Sequence, residues 1–169
     1  MKKVFFAVFL SAFVLVLRAQ DSRTVLNFLR LPVSAHVAAL GGDNITIGDD
    51  GTLVFHNPAL INAASDRQLS LGMMTYMQGS LTAAASYHQF VGERATWGVQ
   101  GRFVNYGEMK ETTLTGQQTG TFSAKDIAVG GTFAYALSDR IDGGITARIV
   151  TSYIGQYNSL AAAVDLGLN

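Results

Sequence analysis

From Arg67 to the end of the chain, apolar residues alternate with polar or small ones, and turn residues interrupt the alternation at intervals. Because successive side chains of a β-strand point to opposite faces, a period of two predicts strands with one apolar and one polar face. Turns at Gln78-Gly79, Val91 to Ala95 and Ser138 to Arg140 separate these strands. The pattern predicts an all-β fold with about six antiparallel strands.

The composition favours a membrane location for this sheet. Charged residues make up 14% of the chain and mean hydropathy is +0.24, whereas soluble domains carry about 25% charged residues. No segment after the N-terminus holds the roughly 20 consecutive apolar residues of a spanning helix. The charges inside the predicted strands, Arg102, Arg148 and Asp165, fall on the polar face. We therefore predict a transmembrane antiparallel β-barrel with these charges in its lumen; a soluble antiparallel sandwich with the same alternation is the alternative.

The connections and the aromatic residues fit a barrel in part. Residues Gly107 to Ser123 are polar and predict a long external loop, opposite short periplasmic turns. The first two connections are both short, so this asymmetry is incomplete. Six aromatic residues are predicted near strand ends, at the headgroup level of the bilayer: Tyr87, Trp97, Tyr106, Tyr135, Tyr153 and Tyr157.

The N-terminus has the features of a secretory signal peptide. Met1-Lys2-Lys3 is basic, and Val4 to Leu17 is an apolar stretch too short to span a bilayer comfortably. Cleavage after Ala19 or Gln20 divides the chain into a signal peptide (1–19), an N-terminal hatch or plug segment (20–64) and barrel strands (65–169). A buried helix or a permanent anchor is the alternative for the first segment.

Motifs for catalysis or cofactor binding are missing from the sequence. Cysteine is absent, and His36, His56 and His88 are widely spaced without a carboxylate at ligand spacing. Serines occur outside a nucleophile-elbow pattern, and the glycines near Gly41 have no strand–helix context for a nucleotide. With zero net charge, nothing predicts nucleic-acid binding. We expect a protein that is not an enzyme and has no metal or cofactor.

Six strands fall short of the eight with which single-chain bacterial barrels begin. An open sheet edge in lipid also leaves backbone groups without hydrogen bonds, at several kcal/mol each. The sequence therefore predicts an incomplete barrel and a chain that is a fragment of a longer protein.

Several segments resemble the PorV/PorQ family, outer-membrane components of the type IX secretion system of Bacteroidetes. The most specific is Ser22 to Leu40; the others are Gly41-Gly42, Asp49-Asp50, Val54 to Leu60, Gly92 to Gly98 and Phe122 to Val129. The pattern Ala-Leu-Gly-Gly, Asp-Asp, Asn-Pro-Ala-Leu is shared more widely with FadL-like barrels.

The resemblance implies a FadL-like barrel of about 14 strands when complete, of which this chain is the N-terminal half, with a hatch in the lumen. It implies an attachment-complex component at the cell outer membrane that holds a PorZ protein near PorU and PorV. A channel for hydrophobic molecules and a PorV-like shuttle for cargo C-terminal domains are the alternatives. Matched family positions, expected to form hatch structure, are Gly41, Gly42, Asp49, Asp50, Asn57 and Pro58.

Overall fold

The computed structural model describes residues 26–42, 50–76 and 79–169. The predicted signal peptide, Asp49 and part of the first predicted turn lie outside the described residues. Residues 26–42 and 50–65, here called the plug, form short helices: η1 (Asn27–Arg30), α1 (Ala35–Ala39), η2 (Gly51–Phe55) and η3 (Pro58–Asn62).

Polar side chains begin three of these four helices. Ser34 Oγ accepts a hydrogen bond from Val37 N at the start of α1. Asp50 caps η2, and Asn57 caps η3 with Pro58 as its first residue. Proline fits there because its missing N–H would have no partner inside the helix. The caps fix the path of a segment whose helices are too short to be stable alone.

Six strands follow the plug, and each pairs antiparallel with the next in the order of the chain. They are β1 (Gln68–Thr75), β2 (Leu81–Val91), β3 (Ala95–Thr112), β4 (Gln118–Ser138), β5 (Ile141–Ile154) and β6 (Tyr157–Leu168). This confirms the prediction of an all-β fold with six antiparallel strands. The sheet is not closed, because β1 and β6 are its two edges.

The segment from Gly107 to Ser123, predicted as a loop, is mostly a β-ribbon. Pairing of β3 with β4 continues to Thr112 opposite Gln118, after a register shift between Asn105 and Glu108. Gly107 has a φ of 78° at this bulge, a conformation that glycine adopts without strain. Both faces of the ribbon beyond the bulge are largely exposed. The loop prediction was wrong because a strand with water on both sides has no apolar alternation, although its threonines favour extended backbone.

The two faces of the sheet differ in what covers them. Small and polar residues such as Thr146, Thr132 and Ala134 are buried on one face, here called the inner face, against the plug. Phe28 of the plug packs with Val104, Ala128 and Val150 in one cluster. A second cluster joins Val33, Val54, Phe55 and Ile61 of the plug to Ala84 and Ala134. The core of the protein therefore lies between the plug and the inner face.

Candidate functional site

The opposite face of the sheet, here called the outer face, is apolar and exposed. Leu71 is 72% exposed and Ile149 62%, although both lie in the middle of paired strands. Other exposed apolar residues on the described strands include Leu69, Met73, Val99, Val129, Phe133, Ile145, Leu160, Val164 and Leu166. This arrangement is the reverse of a soluble sandwich, in which apolar strand faces are buried and polar faces meet water.

Aromatic residues bound the outer face at two levels. Tyr135 pairs with Gly143, and Tyr153 lies ten positions further along β5, opposite Lys125. At about 3.4 Å per residue and a tilt of about 40°, these levels are roughly 26 Å apart. Trp97 joins the Tyr135 level, and its ring meets that of Tyr87 edge-on at a centroid distance of 6.0 Å. On the described strands, the outer-face positions between the two levels hold no charged residue.

Two of the six aromatic residues, Tyr106 and Tyr157, do not lie on the outer face. Tyr106 lies at the bulge of β3 and its hydroxyl donates a 2.6 Å hydrogen bond to Asp126 Oδ2 on the inner face. Tyr157 pairs with Ile154 beside the β5–β6 turn, one position out of phase with the outer face. Both follow the plain alternation of their strands, which places Tyr106 in phase with Val104 and Tyr157 in phase with Ala161. Tyr157 begins β6, a strand end as predicted, whereas Tyr106 lies inside β3, because β3 continues to Thr112.

Glycines on the inner face let the backbone of the plug lie directly on the strands. A Cβ atom at Gly72 would overlap the carbonyl oxygen of Val33. Gly144 lies in the same way against Pro58 and Ala59, and Gly167 lies against Asn57. A side chain at these positions would displace the plug, so glycine in these strands serves close packing.

Asn62 links the plug to two strands through its side-chain amide. Its Nδ2 donates to Asp142 Oδ1 at 2.9 Å, and its Oδ1 accepts from Thr96 Oγ1 at 2.5 Å. Asn57 makes a second link, because Nδ2 donates to the carbonyl of Leu168 at 3.0 Å while Oδ1 caps η3. Together these residues attach the end of the plug to β3, β5 and β6.

Two buried arginines lie between the plug and the inner face of the sheet. Arg102 is 2% exposed, and its Nη1 donates to the carbonyl oxygen of Phe28 at 2.7 Å. Its guanidinium carbon lies 5.0 Å from the ring centre of Phe55, within the range of a cation–π contact. Arg148, on β5, pairs with Asp165 on β6 at 2.5 Å. The sequence placed all three charged residues on the polar face, and the structure confirms that placement.

The predicted family positions occupy ends and caps of plug helices. Gly41 and Gly42, with φ of 92° and 96°, follow α1, and Gly42 N donates to Val37 O at 2.9 Å. A residue with positive φ at this place ends the helix, and glycine adopts it without strain. Asn57 and Pro58 begin η3 and rest on Gly167 and Gly144.

Asp50 is the one carboxylate among the described residues of the plug. Its Oδ1 accepts from Thr52 N at 2.9 Å and from Thr52 Oγ1 at 2.6 Å, and Oδ2 lies 3.3 Å from His36 Nδ1. Burial alone would raise the pKa of this carboxyl. The hydrogen bonds from Thr52 and His36 outweigh burial, so the pKa of Asp50 lies below its ordinary value of 3.8.

A cavity of about 790 Å³ lies between the plug and the inner face of β5 and β6. Leu26, Leu29, Pro32 and Phe55 supply apolar lining, and Arg30, Arg148 and Asp165 supply charge; Gly41 and Gly42 also border it. This cavity could not be predicted from the sequence, because its walls come from the plug and from β5 and β6, which lie far apart along the chain.

Within the part of the chain that the structure describes, no helix is long and apolar enough to cross a membrane. A scan of the sequence against protein-family models finds no match. A search of curated proteins finds no similar sequence. The protein is thus an antiparallel sheet with a plug on its polar face and an exposed apolar outer face.

Proposed function

We propose that the sheet is part of the wall of an outer-membrane β-barrel and that the plug lies in its lumen. The proposal rests on which face of the sheet is exposed: the apolar outer face is exposed, and the inner face, with its small and polar residues, is buried against the plug. Soluble monomers seldom expose a contiguous apolar patch larger than a few hundred Å², whereas a barrel wall needs an apolar band about 25 Å tall between aromatic girdles. The spacing of the Tyr135 and Tyr153 levels agrees with that height.

The edges of the sheet support the same proposal. The outer edges of β1 and β6 carry backbone groups that pair with no other described strand. In lipid such groups cost several kcal/mol each, so a stable barrel closes on itself. We propose that further strands pair with β1 and β6, in a FadL-like barrel of about 14 strands.

The β3–β4 ribbon suggests which end of the barrel faces outward. It extends past the ends of β2 and β5, on the side opposite the short turns at residues 92–94 and 139–140. Bacterial barrels carry long loops outside and short turns on the periplasmic side. The ribbon therefore lies at the cell surface in this proposal.

The proposed role is an outer-membrane component of the type IX secretion attachment complex, which holds a PorZ-like protein at the cell surface near PorU and PorV. The resemblance of the segment Ser22 to Leu40 to the PorV/PorQ family is the basis for this step. The protein does no catalysis in this proposal, and the exposed ribbon is a surface on which a partner can dock.

Affinity purification of the full-length protein from detergent-solubilised outer membranes tests this role. We expect a PorZ-like partner to be recovered, and to be lost when the ribbon (residues 108–121) is replaced by a two-residue turn. A protein with the matched substitution Arg140→Gln, in the opposite turn, should retain the partner. Recovery of the barrel alone would overturn the anchoring role, and recovery of cargo C-terminal domains would favour a PorV-like shuttle.

The cavity of about 790 Å³ favours a second function, a FadL-like channel for hydrophobic molecules. Leu26, Leu29, Pro32 and Phe55 form an apolar part of its wall that a hydrophobic ligand can contact. Mass spectrometry of lipids extracted from the purified protein separates the two functions. A stoichiometric co-purified lipid favours the channel.

A further inference from the structure

The outer face is not flat, because an apolar groove of about 530 Å³ lies across β1 to β4. One row of paired residues shows its shape: Leu71 pairs with Ala85, Ala85 with Gly101, and Gly101 with Val129. Paired residues point to the same face of a sheet. The two small residues, on β2 and β3, therefore form a floor between the larger side chains on β1 and β4.

The packing of the strands does not require this groove. A Cβ atom at Gly101 would have the carbonyl oxygen of Ala128 as its nearest neighbour, 4.0 Å away. The side chain of Ala85 is exposed. Larger side chains would fit at both positions, in contrast with Gly72, where the plug leaves no room. The space over β2 and β3 is therefore open to a ligand.

The groove continues along the strands on the side away from the β3–β4 ribbon. A neighbouring depression of about 320 Å³ shares Ala85, Gly101 and Val129 with it and is lined further along by Tyr87 and Val99. From the row of Phe103 to the row of Val99 the strands rise about 14 Å. A long and narrow apolar groove of this size suits a hydrocarbon chain.

A lysine lies at the end of the groove nearer the ribbon. Phe103 lines that end and pairs with Ile127. Lys125 lies two positions further along β4 on the same face, a distance of about 7 Å. It is exposed and pairs with Tyr153, at the aromatic level. Among the described residues, no carboxylate forms an ion pair with it.

The other charges on this side of the ribbon leave an excess of one positive charge. Glu108 and Lys110 lie further out, opposite Ser123 and Thr121, and share the face of Lys125. Together the two lysines and the glutamate carry one net positive charge. A lysine at the headgroup level attracts an anionic lipid.

We propose that the groove binds one membrane lipid with an anionic phosphate headgroup. One acyl chain lies along Ala85 and Gly101, and the phosphate contacts the ammonium group of Lys125. This site rests on the proposed membrane location of the outer face, but not on the secretion role. The bound headgroup borders the base of the ribbon, the surface on which we propose that a partner docks.

Native mass spectrometry of the full-length protein tests the charge at the end of the groove. The protein is mixed in detergent with equal amounts of phosphatidylglycerol, which is anionic, and phosphatidylcholine, which has no net charge. We expect one phosphatidylglycerol to be retained, with an affinity that Lys125→Gln lowers about fivefold. Arg140→Gln, in the exposed turn at the opposite end of β4, should leave it unchanged. Equal retention of the two lipids, or an unchanged affinity in the Lys125→Gln protein, would overturn the proposal.

A second pair of variants tests the groove itself. Ala85→Leu fills the floor without adding charge, so the lipid should be lost. Ala147→Leu is the matched control, because Ala147 is exposed on the outer face of β5 and does not line the groove. A lipid that stays bound to the Ala85→Leu protein would lie elsewhere, as in the 790 Å³ cavity, and would reject this site.

The fluorescence of Trp97 in vesicles of brominated lipids separates failure of the groove from failure of the barrel. Quenching of Trp97 in a protein that retains no lipid would reject the groove and leave the membrane location standing. A protein without quenching would reject the membrane location and the groove together.

Discussion

The carbonyl oxygen of Val33 lies directly against the Cα of Gly72, so the plug backbone touches the backbone of β1 with no side chain between them. Close contact of this kind recurs at Gly144 and Gly167, each against residues that begin η3. The plug is therefore packed on the strand backbones at several points, and its position depends on the absence of Cβ atoms in the sheet.

Replacing Gly72 by alanine should loosen the plug. The added methyl group would overlap the Val33 carbonyl, and overpacking of this kind costs about 1–3 kcal/mol. We expect a lower urea midpoint for unfolding of the detergent-folded protein, and faster proteolysis of the plug. Gly131→Ala is the matched control, because a Cβ there meets nothing within 4 Å. Equal effects of the two substitutions would show that the plug does not rest on Gly72.

Trp97 reports directly on the environment of the outer face, because it is the single tryptophan of the chain. Its side chain is 38% exposed at the Tyr135 level, where we propose the bilayer interface. In vesicles of brominated lipids, we expect strong quenching of its fluorescence, stronger for bromine near the headgroup than at the chain ends. Quenching by aqueous iodide alone would favour the soluble sandwich.

A charge on the outer face should destabilise the protein in a bilayer. Val129 is 60% exposed between the two aromatic levels, and an arginine at the bilayer midplane costs about 2–4 kcal/mol. Val129→Arg should therefore lower the free energy of unfolding by about this amount in vesicles. Leu114→Arg, at the fully exposed tip of the ribbon, should change it little. An unchanged free energy of unfolding in the Val129→Arg protein would contradict lipid contact at this position.

The strands and their faces could be predicted from the sequence because alternation is a local signal. The alternation also predicted the face on which Arg102, Arg148 and Asp165 lie, since a charged side chain on a strand must take one of two faces. The contacts of Gly72 and Phe28 could not be predicted, because they join the plug to strands far along the chain. The cavity between Arg30 and Asp165 was missed for the same reason. Tyr106 was expected near a strand end, but pairing with β4 extends β3 past it to Thr112.

Asn62 offers a test of the polar link between the plug and the sheet. Asn62→Ala removes the hydrogen bonds that Asn62 makes with Thr96 Oγ1 and with Asp142 Oδ1. Thr96 is buried, with 1% of its surface exposed. Loss of a hydrogen-bond partner in a buried site costs about 1–3 kcal/mol. We expect a lower urea midpoint with an unchanged strand content by circular dichroism. Asn158→Ala, an exposed asparagine on β6, is the control.

The Asp50 cap should make the stability of the plug depend on pH in the acid range. Because hydrogen bonds hold the pKa of Asp50 below 3.8 in the folded protein despite burial, its ionised form stabilises the fold. This contribution is present above the ordinary pKa and is lost as the pH falls below 3.8 through the folded pKa. Asp50→Ala should also lose the cap of η2, at about 1 kcal/mol, whereas Asp50→Asn should keep most of the cap without the titration. Unfolding midpoints between pH 2 and pH 6 measure this, and an acid-induced loss of the same size in Asp50→Asn as in the unaltered protein would assign the titration to another group.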